Sequence, residues 1–488
     1  MKKKILIFLL GITTVFSSCD PTEFEDTNVD PTSLKEAPAK TLLTYSLQRV
    51  PYLSFSSLGR NEAAFSTLDP NFYSQYLSEG PYPAASWYSV RNFSWAGWYT
   101  GPLYNLETII KYNNEGSSLA SLANGSKDNQ IAVARILKAY IFWNLTDRFG
   151  DLPYSEALKG NEGLQPKFDT QESIYADLFK ELKEAQAQIK LNEAGVTGDI
   201  LLHGDMEGWK RFANTTRLFM ALRLMKNDPA KAATEIQAAV ADGVITSNDQ
   251  NIVYEYIAGD PNNWDPWYEN YDNDNRNDYA LSSRLVDYMK NNADPRLPVY
   301  GEDLSGQVVG LSYGAPNARN IPGTYSRIGD AFRNGGAHAP IFTYSQVLFA
   351  MAEAANRGAL AGGDALATTY FNDAIKASWE YHGVYDAAAY ATFIADADIA
   401  YVPGAAGLER IINQKWVSQF LNGFEAWTDW RRTGFPVLTA APNSVDARGI
   451  PRRLGYPSNV SALNGKNYAE VVARQGADDN YTRIWWDK

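Results

Sequence analysis

Thiols are almost absent from this chain: Cys19 is the only cysteine in 488 residues. An intramolecular disulfide is thereby excluded, so stability has to come from burial rather than cross-links. Histidine is nearly as scarce. His203, His338 and His382 are widely separated, with no HExxH pair and no His/Cys spacing of the kind that holds zinc. No nucleophile elbow is present, and the glycines of "YGAPNARN" and "RNGGAHAP" follow no clear strand and read as loops. Basic residues are outnumbered: 44 Lys and Arg face 56 Asp and Glu, a formal net charge of -12. Such a surface repels nucleic acid and anionic headgroups, which excludes polynucleotide partners. Beyond the first residues, no hydrophobic run approaches the roughly 20 residues that cross a bilayer.

What is present starts with the placement of that lone thiol. Lys2, Lys3 and Lys4 precede an apolar run from Ile5 to Phe16, and Ser17 and Ser18 follow just before Cys19. This is the layout of a secretory signal, and the run is too short to span a membrane. A leader cut near Ser18 with an idle cysteine is the plain alternative. The segment around Cys19 resembles a bacterial lipoprotein box, with Phe16 where Leu is commoner. The expectation is a signal peptide over 1–18 and a lipid on Cys19 as the first mature residue. Acyl chains give lasting attachment because each buried methylene adds roughly 0.8 kcal/mol. Residues 19–33 are rich in Asp, Glu, Pro and Thr, and read as a solvated acidic tether.

From residue 34 onward the pattern is mostly helical. "NQIAVARILKAYIFWNLTDRFGDLPYSEAL" places Ile131, Ala134, Leu137, Ile141 and Leu145 at helical spacing, ending near Gly150 and Pro153. "EGWKRFANTTRLFMALRLMKNDP" does the same with Trp209, Phe212, Thr216, Phe219 and Arg223, and stops at Asn227-Asp228-Pro229. "TYSQVLFAMAEAANRG" and "GDALATTYFNDAIKASWEYHGV" predict a helix pair turning at Gly362-Gly363, and "LERIINQKWVSQFLNGFEAWTDWRRTGFP" the last long helix and a break. "NIVYEYIA" is the best short strand. The predicted class is mainly α: an α-solenoid-like body of tetratricopeptide-like helix pairs with few short strands, although no clean repeat period survives. Long irregular loops occupy 51–100 and 259–340, and stretches of that size are usually functional.

At this level the chain resembles a known family. "GWKRFANTTRLFMALR", "MAEAANRG", "YFNDAIKASWEYHGV", "QKWVSQFLNGFEAWTDWRRTGFPVL", "IPRRLGYPSNV" and "IWWDK" are similar, in content and order, to the SusD/RagB nutrient-binding lipoproteins, in the SusD-like branch. The resemblance implies a single helical binding domain over 34–488 with degenerate tetratricopeptide-like units. It implies an outer-membrane lipoprotein of Bacteroidetes type, held by a lipid anchor and facing the exterior. Such a protein captures an oligomeric nutrient, usually an oligosaccharide, and passes it to a SusC-like TonB-dependent transporter. Asp20, Glu23, Glu25 and Asp26 then match the acidic export signal of such lipoproteins. The resemblance implies no cofactor.

The residues themselves say where capture should occur. The sequence holds 13 Trp and 30 Tyr, side chains that pair a flat apolar face with a polar edge. "GDPNNWDPWYENYDNDNRNDYA" sets Trp264, Trp267, Tyr268 and Tyr271 among Asn263 and other amides and carboxylates, a pattern suited to stacking on sugar rings, with at least one Trp expected to pin the loop to the body instead. The earlier loop offers Trp87 and Tyr88, whereas Trp95 and Trp98 run straight into a helix and read as core. Asp272 and Asp274 stand at calcium-loop spacing, but Arg276 occupies the third position and no glycine follows, so metal is not expected. Binding of a peptide nutrient in the same system is the alternative function. A helical glycoside hydrolase is another, although no carboxylate pair is marked out, and a surface adhesion module is a third.

Overall fold

Local chemistry sets the helix ends. The Ser126 hydroxyl accepts from the Asn129 amide and Asp128 sits in the first turn, so Lys127–Phe149 starts as a capped helix. It stops at Gly150, whose φ of 83° suits only glycine comfortably. Thr343 and Gln346 form a reciprocal capping box at the start of Tyr344–Asn356. Counting helices of nine residues or more, the order is α1 (Ala39–Leu47), α2 (Tyr104–Glu115), α3 (Lys127–Phe149), α4 (Gln171–Gln188), α5 (Met206–Arg223) and α6 (Pro229–Asp242). There follow α7 (Ser283–Asn291), α8 (Tyr344–Asn356), α9 (Gly363–Tyr381), α10 (Ala387–Ala395), α11 (Ala405–Ser418), α12 (Gly423–Thr433) and α13 (Gly465–Gln475). This computed structural model describes residues 36–54, 68–316 and 318–488. The leader, Cys19, the acidic tether and part of the 51–100 stretch lie outside the described residues.

Residues Ala39–Lys488 form one compact unit. Neighbouring helices pack in sequence: α1 on α2, α2 on α3, α3 on α4, α4 on α5 and α5 on α6, with α8 holding α9 and α11 in a second array. The five residues expected on one stripe of α3 are buried, but so is nearly the whole circumference of that helix. It is a central column rather than an amphipathic surface helix. Its less buried positions, Arg135 and Lys138, pair outward with Glu181 of α4 at 2.9 Å and Glu107 of α2 at 2.7 Å. The expected helix pair is α8 and α9, turning at Gly362-Gly363.

Two expectations change. The string "LERIINQKWVSQFLNGFEAWTDWRRTGFP" is two helices, because Leu421 takes a φ of 67° and Asn422 caps α12 by accepting from the Glu425 amide. It is not the last helical segment either, since α13 follows. The 259–340 stretch is not wholly irregular: it contains α7, started by the Ser282 hydroxyl and buried along Leu285, Val286 and Met289. Among the described residues the strands form short antiparallel pairs: β1 (Leu77–Glu79) with β5 (Tyr279–Leu281), β2 (Leu152–Pro153) with β3 (Phe168–Asp169), and β4 (Ile252–Glu255) with β6 (His338–Phe342). β4 is the strand read from "NIVYEYIA".

A buried ionic network ties the helices together. Arg223 of α5 reaches Asp147 of α3 at 3.2 Å and Glu425 of α12 at 3.0 Å. Lys415 of α11 lies 2.9 Å from Asp429, which also holds Arg432 at 2.7 Å, and Arg432 continues to Glu353 of α8. Burial alone would raise the Glu353 and Asp429 carboxyls, but the adjacent cations hold both below the usual range. Each charge is compensated by another element, so the network fixes how these five helices meet.

Candidate functional site

The short β1–β5 ribbon explains how two distant loops meet. Leu77 pairs with Leu281, Ser78 with Ala280 and Glu79 with Tyr279. Because the strands are antiparallel, the chain leaving β1 and the chain entering β5 lie side by side, and the Gly80 amide donates to the Asp278 carbonyl at 2.8 Å. The early and middle aromatic loops therefore share one end of the ribbon. At the other end, Gln75 precedes β1 and α7 follows β5.

The middle loop is more ordered than its composition suggests. Asp265 caps the turn by accepting from the Trp267 and Tyr268 amides at 2.9 and 3.0 Å, and Pro266 opens a helical turn that continues through Asn273. In helical register, residues four apart share a face. Trp267 and Tyr271 face inward and stack at 5.8 Å, while Trp264 and Tyr268 face outward, edge to face at 5.2 Å. Trp267 and Tyr271 are fully buried, and the Tyr271 hydroxyl donates to the Tyr279 carbonyl at 2.9 Å. They pin the loop and offer no face to a ligand, which corrects their expected role. Tyr88 is corrected for the same reason: it is buried, edge-on to Tyr73 at 5.7 Å, and its hydroxyl accepts from the Ala441 amide.

Half-exposed rings remain. Trp264 donates its indole N–H to the Ala258 carbonyl at 2.7 Å, and Asn263 accepts from the Tyr254 hydroxyl at 2.6 Å. Trp87 donates to the Gly314 carbonyl at 2.9 Å, with part of its ring open. Asp272 is held by Arg333 at 3.0 Å, and no group of three or more His, Cys, Asp or Glu among the described residues is arranged for a metal. Trp95 and Trp98 are core, as read from sequence.

One hollow near these loops was not anticipated. A cavity of 440 Å³ opens between α7 and the 439–442 segment. Arg284, Asp287, Tyr288 and Asn291 line it from α7, at the helical spacing that puts them on one face. Tyr313, Gln75 and Thr439 form the opposite wall. Gln75 is fixed by a bond from its amide to the Thr439 carbonyl, and Tyr288 accepts from Gln414 at 3.3 Å. Burial pushes the Tyr288 hydroxyl up to about 12, so it stays a neutral donor and acceptor. Trp87 belongs beside this cavity, since its indole bonds the carbonyl next to Tyr313. Two phenol rings, a guanidinium, a carboxylate and amides converge on a ligand-sized volume. Among the described residues that line it, Asp287 is the one carboxylate, whereas glycoside hydrolysis uses a pair. The arrangement suits non-covalent recognition. A signal was present in the sequence: Ser282 before Leu285, Val286 and Met289 marks a capped amphipathic helix whose other face carries these groups.

Comparison with known proteins agrees with this architecture. The family described as "Starch-binding associating with outer membrane", of the SusD-like kind, matches residues 31–457. A solved chitin-binding protein is 28% identical, covering 92% of this chain and 99% of its own, with a TM-score of 0.76. A chitin-binding SusD homologue from Flavobacterium johnsoniae is 26% identical over 92% of this chain and 97% of its own, with a TM-score of 0.75. A SusD homologue from Bacteroides fragilis shares the fold at 23% identity, with a TM-score of 0.78 over 93% of this chain and 100% of its own. No curated protein matches the chain. The match covers far more than half the sequence, and proteins of this family are non-enzymatic, outer-membrane nutrient binders. The chain belongs to the SusD-like family.

Proposed function

We propose that the protein captures an oligosaccharide in the α7 cavity and delivers it to a SusC-like TonB-dependent transporter, from a body anchored by lipid on Cys19. The observation that carries this reading is the convergence of Tyr288 and Tyr313 with Arg284, Asp287 and Asn291 on one cavity. Phenol rings stack on the C–H faces of pyranoses, and the ionic and amide groups exchange hydrogen bonds with hydroxyls at the rim. The likeness to two chitin-binding proteins at 28% and 26% identity makes oligomers of β-1,4-linked N-acetylglucosamine the first ligand to test. Family membership and the lipoprotein-like residues around Cys19 support transfer to a membrane barrel.

The test is calorimetric titration of chitohexaose into the wild type and into Tyr288→Ala/Tyr313→Ala. Each stacked ring contributes about 1 kcal/mol beyond area burial, so losing both weakens binding by about 30-fold. Far-UV circular dichroism should be unchanged. Unaltered affinity in the double variant would show that the α7 cavity is not the capture site.

A further inference from the structure

A second hollow lies on a different part of the body. The Ala96–Leu103 turn leads into α2, and the 153–166 segment folds against it, leaving a cavity of 510 Å³. Its walls are the rings of Trp95, Tyr99 and Tyr104 together with Leu158, Leu164 and Pro166. Two of these rings are held rigidly. Tyr99 donates its hydroxyl to the Pro153 carbonyl at 2.6 Å, and Trp95 packs on Phe149 at 5.0 Å and Tyr456 at 5.4 Å. Tyr104 and Leu164 form the open rim, at 46% and 77% exposure.

This hollow does not end at its rim. Tyr104 and Leu158 also line an adjoining cavity of 450 Å³ along α2, whose character is polar. Asn114, Lys159 and Glu162 line it, all three exposed, and their side chains have no hydrogen-bond or ion-pair partner among the described residues. The double hollow is thus apolar and aromatic at one end and rich in unengaged hydrogen-bonding groups at the other.

We propose that this double hollow is a second saccharide site, selective for N-acetylated sugar units. The Tyr99 and Tyr104 rings, backed by the buried Trp95, take the C–H face of a pyranose, as aromatic platforms do. A hydroxyl-only sugar would set hydroxyls against the half-buried Leu158 and Pro166, whose side chains offer them no hydrogen-bond partner. An acetamido methyl fills that apolar end instead, and the next unit lies over Tyr104 with its hydroxyls reaching Asn114, Lys159 and Glu162. The Trp95 and Tyr99 rings are fixed before the ligand arrives, which lowers the ordering cost of binding. The ligand class rests on the glycan reading above, but the site shares no residue with the α7 cavity.

The experiment compares chitohexaose with cellohexaose, which has the same linkage and no acetamido groups, by calorimetry and Trp fluorescence on the mature protein. Chitohexaose is expected to bind at two equivalents. Tyr104→Ala and, separately, Leu164→Asp each weaken one of the two by about fivefold or more, while Tyr288→Ala/Tyr313→Ala weakens the other. Both rim side chains are exposed, so the two variants check each other against a folding defect. Cellohexaose is expected to respond identically in wild type and Tyr104→Ala. A single equivalent that Tyr104→Ala leaves unchanged would overturn the second site and leave the α7 reading standing. Tyr104-dependent binding of cellohexaose as tight as chitohexaose would overturn the selectivity. Failure of chitohexaose to bind at all would overturn both sites for this ligand class.

Discussion

Replacing Arg223 by Met removes the cation that bridges Asp147 of α3 to Glu425 of α12 while keeping most of the side-chain volume. Both carboxylates are left almost without solvent. Burial already raises the Asp147 carboxyl, and the Arg223 charge is the main force opposing that rise. Breaking a buried pair by removing one partner costs about 3–5 kcal/mol. With a urea dependence of about 3 kcal/mol per molar for a chain this large, Arg223→Met should lower the unfolding midpoint by about 1 to 1.5 M. The double variant Asp147→Asn/Arg223→Met should recover part of the loss, by about 0.5–3 kcal/mol, because Asn still accepts from the Tyr175 hydroxyl and the Trp486 indole. The same network gives a pH signature. Glu353 and Asp429 titrate below their unfolded values, so their stabilisation is complete above about pH 5 and is lost as the pH falls through the folded values. Urea midpoints followed by far-UV circular dichroism, at pH 7 and at pH 3, test the argument. An Arg223→Met midpoint within about 0.2 M of wild type would refute it, and so would a double variant that loses the full sum of the single effects.

Three further outcomes follow from other parts of the molecule. Glu79 is buried and clamps the early loop by accepting from the Ser86 amide at 2.7 Å; burial lifts its carboxyl to about 7 against the Ser86 bonds. The native state therefore keeps a proton that the unfolded chain loses, and stability falls as pH rises from the ordinary carboxyl range towards about 7. Glu79→Gln should stabilise by about 3 kcal/mol at pH 8 and be nearly neutral at pH 4, and equal effects at both would sink the argument. Cys19→Ala should move the protein from the membrane to the soluble fraction, and its persistence in membranes would exclude the lipid anchor. Trp267→Ala should cost about 3–5 kcal/mol in chemical denaturation whereas Trp264→Ala should cost about 1 kcal/mol or less; the reverse order would mean that the loop is not pinned as described.

The helical class was legible because α3, α5, α8 and α9 carry long periodic patterns between clear caps and breakers. Burial all round α3 was not, since periodicity finds an apolar stripe but cannot exclude a second buried side supplied by other helices. The middle loop is partly legible for a more local reason. Composition shows that some of its rings pin the loop, but only Asp265-Pro266, a cap followed by a first-turn proline, says which. In helical register that pair sorts Trp267 and Tyr271 to the inside and Trp264 and Tyr268 to the outside. Tyr88 was hidden differently, because its burial depends on Ala441, more than 300 residues away in the chain.

The strings that carry the family likeness and the residues that line the α7 cavity barely overlap, and the network explains why. Arg223, Glu353, Lys415, Glu425, Asp429 and Arg432 all fall within those strings, and every one is buried and ion-paired between helices. A change at any of them strands a charge in the core, so the joint between the helical arrays admits few substitutes. Gln75, Arg284, Asp287, Tyr288, Asn291 and Tyr313 lie outside the strings, on a ribbon end, one face of a short helix and a loop. Leu285, Val286 and Met289 hold α7 in place; of its cavity groups Arg284, Asp287 and Asn291 face away from the core, whereas Tyr288 also packs on Trp416 at 5.9 Å and accepts from Gln414. The scaffold and the proposed ligand surface are therefore largely separable: the ionic joint sets how the helices meet, and the exposed Arg284, Asp287 and Asn291 can change without stranding a charge in the core.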